Sequence, residues 1–316
     1  MMEGVSPIVS VIIPVYNTED FIAEAIDSVL AQTLEGSVEI IAVDDGSTDG
    51  SLKVLESYGD RIRVISKANA GQGAARNDAL DVASGRFVYF MDSDDLIVQD
   101  TLRLCVEKCE SDNLDFIFFD AESFGIAQVS ESPWFEYKRG ADFPDVVSGP
   151  EAMDRMLRDG KYRCSVCMSL FRRSFIEDNS LRFIERVHHE DELFSSEAYF
   201  KARRVEGLPL ALYRRRLREN STMTACYSEK NVKGYLTVSE KLAGMPLDDF
   251  CDSLRRKLIS NYMLTLMQNA WNLPLGVRLR IASVILCKYP YAASGYYLLS
   301  LLCKKWKMFF KRERLS

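Results

Sequence analysis

Three carboxylates, Asp92, Asp94 and Asp95, stand within four positions in the stretch RFVYFMDSDDL, residues 86–96. The mostly apolar residues 87–91 read as a short buried strand that runs straight into them. Carboxylates gathered where a buried strand ends are costly unless something cationic neutralises them. A divalent metal carrying an anionic ligand would do so. Asp92 and Asp94 are separated by one small residue, so both can reach one hard ion, and Mg²⁺ or Mn²⁺ takes a few carboxylates plus phosphate oxygens. The alternative is an Asp-rich turn capping the next helix. This stretch alone leaves both open.

The elements that must position these residues alternate. Residues 9–13 read as a strand, followed by Phe21, Ile22, Ala25, Ile26, Val29 and Leu30 at helical spacing after Thr18 as N-cap. Residues 38–43 form a second strand ending in DDGSTDGS, and Leu52, Leu55 and Tyr58 continue as a helix. A third strand, 61–65, leads into a helix opened by KANAGQGAARNDAL, and 87–91 is the fourth strand. Such alternation predicts an α/β fold, a mainly parallel sheet flanked by helices, with ligands at the carboxyl ends of the strands. The unusual polar residues fall at those ends: Tyr16 and Asn17, Asp44 and Asp45, residues 70–77, and 92–95.

Beyond a helix at 99–110 and a strand at 116–119 the regularity stops. Residues 120–150, with Pro133, Trp134, Pro144 and Gly149, read as irregular loop and short strands of the kind that shapes a substrate site. A helix at 151–158, a strand at 166–171, a helix opening at HHEDELFSSEAYF and a strand at 210–216 follow, and from Tyr227 the pattern is helical.

The chain is 316 residues long, with 47 % hydrophobic residues and a net charge of −6, which excludes a disordered chain. Residues 1–100 hold 18 acidic and 6 basic side chains, and so acidic a body argues against a nucleic-acid partner. No cleavable leader is visible at the N-terminus, and the expectation is a cytoplasmic protein. Cys105 and Cys109 share an apolar helix face with Leu102 and Val106, as core hydrophobes do, and Cys164 and Cys167 form a lone CxxC, discounted as a zinc or redox site. An apolar run at 289–303 is shorter than a bilayer span. It leads into Lys304, Lys305, Lys307, Lys311 and Arg312 interleaved with Trp306, Met308, Phe309 and Phe310. That pattern suits a helix lying on an anionic membrane surface, on the inner face of the cell membrane, or a terminal helix packed on its own domain.

Four stretches in order, VSVIIPVYN at 9–17, VDDGSTDGS at 43–51, NAGQGAARN at 69–77 and FMDSDD at 90–95, resemble the family 2 glycosyltransferases, inverting enzymes of the A-type glycosyltransferase fold. HEDELF and YRRRLRENS extend the likeness more loosely to residue 221, and it is greatest to bacterial enzymes that build surface polysaccharides. The resemblance implies a glycosyltransferase domain at 1–225, with a nucleotide-sugar half at 1–119 and an acceptor and catalytic half at 120–225. A helical region at 226–316 would follow.

It also implies roles. Tyr16, flanked by Pro14 and Asn17, would pack on uracil, and Asp44 or Asp45, with Asp45 favoured, would accept the uracil N3 hydrogen. Arg76 would lie near the ribose and phosphates, with Ser93 in the same nucleotide site. Asp92 would be near the ribose or metal, and Asp94 would be the main ligand of Mn²⁺ or Mg²⁺. In HHEDELF, Asp191 would be the base that takes the acceptor proton, with Glu190 as the alternative, although acids in a helix's first turn also complement its dipole. Arg216, Arg218 and Ser221 match a late basic segment that reaches the diphosphate, with a solvated basic strand as the alternative. His188 and His189 are the chain's only histidines and read as loop or acceptor-site residues, or as metal ligands. The expected donor is a UDP-sugar and the expected acceptor a lipid-linked saccharide. The rival readings are a non-catalytic carbohydrate-binding protein and a sugar-phosphate nucleotidyltransferase. Against the second, PVYNTED after the first strand is acidic and glycine-free. A dinucleotide-binding oxidoreductase is weaker still, because GQGAAR lacks the third glycine of GxGxxG.

Overall fold

Every residue of β1, Val9–Val15, is buried, as a strand covered on both faces requires. A computed structural model of the chain describes residues 6–125, 137–139, 143, 145–218 and 227–302. It divides into two units, Met1–Arg186 with Phe194–Met223, and Val187–Leu193 with Thr224–Ser316.

In the first unit β1 pairs in parallel with β2 (Val38–Asp44) on one side and with β4 (Phe87–Phe90) on the other. β3 (Arg63–Ser66) extends the sheet beyond β2. The crossovers carry α1 (Ile22–Leu30), α2 (Ser51–Glu56) and α3 (Gln72–Leu80). This parallel half matches the expectation. Pro14 sits inside β1, but β4 pairs only with Val9 to Ile12, so its missing N–H breaks no ladder on that side. Thr18 does not cap α1 with its side chain. Its hydroxyl donates to Ser93 Oγ at 3.1 Å, and its carbonyl accepts from Phe21 N and Ile22 N.

The other half is mixed. β5 (Leu96–Ile97), β6 (Phe116–Gly125), β7 (Ser169–Arg172) and β8 (Val205–Leu217) complete the eight-stranded order β3-β2-β1-β4-β7-β6-β8-β5. β7 runs antiparallel to β4 and β6, β5 runs antiparallel to β8, and β6 and β8 are parallel. Both long strands exceed their sequence reading, and the reason is visible at Pro209. The β6–β8 register jumps between Phe119↔Leu208 and Asp120↔Ala211, so the proline falls in the break, and the strand resumes beyond it. Val166–Met168, expected to be strand, is a single 3₁₀ turn leading into β7. The helices of this half are α4 (Thr101–Ser111), α5 (Gly149–Arg158), α6 (Arg173–Asp178) and α7 (Glu190–Lys201).

The core is aromatic. Phe90 meets Phe171, Phe183 and Phe194 edge-on, and Phe183 stacks on Phe194 at 4.3 Å. Edge-to-face and offset pairs add about 0.5–1.5 kcal/mol each to the area they bury. They brace the end of β4, where the acidic turn begins.

The second unit is helical: α8 (Glu229–Ala243), α9 (Asp249–Asn269), α10 (Leu275–Lys288) and α11 (Gly295–Leu302), with the first turn of α7 included. Asp248 caps α9, accepting from Cys251 N at 2.7 Å. Leu254, Leu258, Met263, Leu266, Ile281 and Ile285 are fully buried within it. No helix among the described residues is long and apolar enough to cross a membrane. Pro133, Trp134, Ser221 and the basic tail at 304–312 lie outside the described residues.

Candidate functional site

β4 ends at Phe90, and the chain turns at once, with Asp95 N donating to Asp92 O at 3.3 Å. The turn places three carboxylates on three different cationic or hydroxyl partners. Asp92 Oδ1 accepts from Arg76 Nη2 and from Gln72 Nε2, both at 2.8 Å. Arg76 is 3 % exposed and lies over the Phe183 ring at 5.2 Å, so its guanidinium is held from behind by the aromatic core. Asp94 Oδ2 accepts from Arg218 Nε at 2.6 Å, and the Asp94 carbonyl accepts from Arg216 Nε at 2.9 Å. Asp95 is buried, with Tyr213 Oη donating to Oδ2 at 2.7 Å and Arg216 N to Oδ1 at 2.6 Å.

Burial pushes the Asp95 carboxyl up to about 8, with the fields of Asp94 and Asp92 adding to it. The hydrogen bonds from Tyr213 and the Arg216 N–H work against that rise. The turn is therefore a concentration of negative charge answered by arginines from α3 and from the end of β8. Arg216 is itself shared. Its Nη2 donates to Glu24 Oε2 at 2.5 Å, and it packs on the rings of Phe21 and Phe124.

A second bonded group lies at the ends of β1 and β2. Asp45 accepts from Ala70 N at 2.8 Å on one oxygen and from Gly71 N at 2.7 Å on the other, fixing the loop that opens α3. Gly71 has φ +93°, which suits glycine alone, and Gln72 beside it is the residue that reaches Asp92. Asp44 accepts from Ser47 N at 3.2 Å and Ser66 Oγ at 3.1 Å. Asn17, at φ +52°, accepts from Thr48 N at 2.8 Å and so ties the first loop to the second. Tyr16 beside it is 49 % exposed, an aromatic face open to solvent. Ser93 Oγ accepts from Thr18.

The structure thus brings Asp92, Ser93, Asp94, Arg76, Arg216 and Arg218 into one cluster, and ties Asn17, Asp44 and Asp45 into the adjoining loops. Four participants were not singled out from the sequence: Gln72, Phe183, Tyr213 and Glu24. Gln72 and Tyr213 stand inside motifs that were read, NAGQGAARN and YRRRL, whereas Phe183 and Glu24 carry no sequence signal.

Asp92 and Asp94 offer hard carboxylate oxygens two positions apart in one turn, and that donor set fits Mg²⁺ or Mn²⁺ with phosphate oxygens and water completing the shell. Among the described residues no three His, Cys, Asp or Glu side chains converge on one metal position.

Glu190 and Asp191 belong to the second unit, in the first turn of α7. Glu190 is buried and Asp191 half-buried, while Glu192 accepts from Tyr262 Oη at 2.7 Å. Immediately before them His189, at φ +66°, stacks on Tyr235 at 4.1 Å, and its Nε2 lies 3.4 Å from Asn231 Nδ2. Burial, with the charge of His188 added, pushes the His189 imidazole down to about 4.

A family model described as glycosyl transferase family 2 matches residues 10–179. The uncharacterized glycosyltransferase EpsJ of Bacillus subtilis is 35 % identical over 224 residues, 68 % of this chain and 62 % of that protein. The poly(ribitol-phosphate) beta-N-acetylglucosaminyltransferase TarS of Staphylococcus aureus is 30 % identical over 225 residues, 69 % of this chain and 37 % of TarS. The chain therefore spans less than two thirds of the length of these relatives. In three dimensions it is similar to S. aureus TarS 1–349 in complex with UDP-GlcNAc, with a TM-score of 0.68 at 22 % identity over 96 % of this chain and 92 % of the other. It is also similar to a mannosyltransferase of Pyrobaculum calidifontis in complex with GDP-Man and Mn²⁺, with a TM-score of 0.56 at 17 % identity over 94 % and 85 %. With a strand-end cluster of this composition and a family model covering more than half its length, the chain belongs to glycosyl transferase family 2.

Proposed function

We propose that the protein transfers a sugar from a UDP-sugar to a hydroxyl of a saccharide acceptor, with inversion. The observation that carries this reading is the acidic turn at Asp92–Asp95 held by Arg76 and Arg218, a site whose charges suit a diphosphate and a cation together. The TarS structure with UDP-GlcNAc supports a uridine donor by likeness of fold.

In this reading Tyr16 supplies the face on which the base lies, and Asp45, or Asp44, accepts the uracil N3 hydrogen, for which cytosine has no counterpart. Arg76 stands near the ribose and phosphates, with Asp92 and Ser93. The N-terminus of α3 begins beside them, and helix N-termini favour anions. Asp94 and Asp92 would hold Mn²⁺ or Mg²⁺, which when bound offsets the charge that develops on the leaving diphosphate. Arg216 and Arg218 add donors to the phosphate oxygens through their planar forks. Asp191 takes the proton from the acceptor hydroxyl, with Glu190 beside it, as inversion by a single displacement requires.

The acceptor is a lipid-linked saccharide, and the basic, aromatic-rich tail holds the enzyme on the inner face of the membrane. The two chain segments that would serve these roles, 1–225 and 226–316, are the catalytic domain and a helical extension.

Calorimetry with UDP, with and without Mn²⁺, tests the donor site on wild type and on Asp94→Ala. The expected result is metal-dependent binding that the substitution abolishes. Asp191→Asn should keep UDP affinity and lose turnover with UDP-sugars and lipid-linked acceptors. Binding of another nucleotide in place of UDP would overturn the donor, and failure to bind any nucleotide would favour a non-catalytic carbohydrate-binding protein.

A further inference from the structure

The helical unit carries an apolar surface that its own packing leaves uncovered. Six of the ten large hydrophobic side chains exposed among the described residues fall within one stretch of it: Leu275, Leu279, Leu286, Tyr291, Tyr296 and Leu299. Single exposed leucines are ordinary, but these are not scattered. At about 100° per residue, Leu275, Leu279 and Leu286 fall within an arc of about 40° on α10, and all three are more than half exposed. The side of α10 that packs Ile281 and Ile285 into the core lies about 120° further round the helix. The leucine stripe is therefore not what holds α10 in place. α11 is fixed to α10 from within, because buried Arg278 donates from Nη1 to the carbonyls of Leu301 at 3.0 Å and Leu302 at 3.1 Å. Tyr296 and Leu299 of α11 stand three positions apart and share a side of that helix.

The charge around this surface has one sign. Residues 253–302 hold six basic side chains and no acidic one, in a chain whose net charge is −6. Residues 303–316 add six more basic side chains against Glu313 alone. Arg280, next to Leu279, is exposed. Arg256 is exposed as well and lies over the ring of Tyr291 at 5.4 Å. The carboxylates that answer these helices come from outside the stretch: Asp252 pairs with Arg255 and Arg256, and Glu240 of α8 with Lys288 at 2.9 Å.

That sign decides what covers the stripe. A second copy of the chain, meeting it across a two-fold axis, would set cations against cations. Residues 303–316, folded back, would bring six more cations to a stretch with no carboxylate of its own. An anionic lipid surface offers hydrocarbon to the leucines and phosphates to the arginines and lysines. We infer that the outer face of α10, with α11 beside it, is a membrane-binding surface that lies on anionic phospholipid, with Leu275, Leu279 and Leu286 entering the acyl boundary. This rests on the reading of an enzyme that works at a membrane, and it puts the contact in the folded helical unit as well as in the tail. A rigid contact of this kind sets the orientation of that unit on the bilayer, which a tail alone does not.

Flotation of the whole 316-residue chain with vesicles tests the face. The wild type should float with vesicles of equal parts phosphatidylglycerol and phosphatidylcholine, and far less with phosphatidylcholine alone. Leu279→Glu combined with Leu286→Glu removes two apolar anchors and adds two negative charges, so partitioning onto the anionic vesicles should weaken at least about tenfold. UDP affinity, which reports the donor site, should stay at the wild-type value in that variant. A diazirine phospholipid in the vesicles gives a readout on unaltered protein, with adducts expected within 275–299. Adducts confined to 303–316, or equal partitioning of variant and wild type, would overturn the face and leave the tail as the anchor. If the wild type binds no vesicles, the face and the membrane reading fall together, while UDP binding still decides the donor site. A solution dimer that the same double substitution dissociates would assign the stripe to a second copy and overturn the lipid contact.

Discussion

Arg218 Nε lies 2.6 Å from Asp94 Oδ2, with the two side chains 29 % and 18 % exposed. The carboxylate proposed as the main metal ligand is thus already neutralised, by a residue 124 positions later in the chain. The pair joins the end of β8 to the turn after β4, and it makes the cation at this site a matter of competition.

A guanidinium and a divalent ion cannot both take full possession of one carboxylate. Arg218→Met is therefore expected to tighten Mn²⁺ binding in the absence of nucleotide by about fivefold, the equivalent of the ~1 kcal/mol that a partly exposed pair contributes. The same substitution should weaken UDP binding, because it removes a planar phosphate donor. Manganese titration followed by electron paramagnetic resonance, and calorimetry with UDP, read the two effects. Unchanged Mn²⁺ affinity would mean that Arg218 and the metal do not meet at Asp94.

Tyr213 is the next test. Its hydroxyl donates to buried Asp95 and accepts from Asp92 N at 3.4 Å, so one oxygen organises two residues of the turn. Tyr213→Phe leaves Asp95 Oδ2 buried without that donor, at a cost of about 1–3 kcal/mol. A melting temperature lower by several degrees is expected, at about 2–4 °C per kcal/mol for a unit of this size, together with weaker UDP binding. A variant that melts and binds as wild type does would remove Tyr213 from the site.

Much of this site was legible because the parallel half of the sheet obeys a simple rule. Buried strands write themselves as apolar runs, and whatever polar residues end them must converge on one edge; Asn17, Asp44, Asp45, Arg76 and Asp92 were found that way. The mixed half was not legible to the same degree. Pro209 interrupts β8 in the sequence, and only the register shift opposite Asp120 shows why the strand survives it. Thr18 has the composition of an N-cap and spends its hydroxyl on Ser93, a contact 75 residues away that no local pattern encodes. Phe183 and Glu24 were missed for the same reason, since their partners Arg76 and Arg216 are distant in sequence.

The second unit should respond to acid through His189. Its folded-state value is held near 4, below the ordinary histidine value of about 6.5. Between those two values the unfolded chain carries the proton and the folded chain does not, so stability is fully present above pH ~6.5 and is lost as pH falls towards 4. His189→Phe, which keeps a ring to stack on Tyr235, should flatten that part of the pH profile of thermal unfolding while leaving the region above pH 7 unchanged in slope. Parallel profiles for the two proteins between pH 6.5 and 4 would mean that other groups carry the acid sensitivity.

Asp45 offers the sharpest test of base recognition, because its carboxylate has two separable duties. Each oxygen accepts from a backbone N–H of the loop at Ala70 and Gly71, and a carboxylate oxygen keeps a further lone pair for a ligand. In Asp45→Asn one amide end must face an N–H as donor against donor, so the loop that leads to Gln72 loosens and half the acceptor capacity is gone. UDP binding should weaken by about ten- to a hundredfold, the equivalent of roughly 1–3 kcal/mol for a buried group left unpaired. The nucleobase comparison separates the duties. If Asp45 reads the uracil N3 hydrogen, CDP should lose far less than UDP, because the new amide can donate to the cytosine N3. Equal losses for both nucleotides would assign Asp45 to the loop alone, and a larger change in the UDP to CDP ratio for Asp44→Asn would move base recognition to its neighbour.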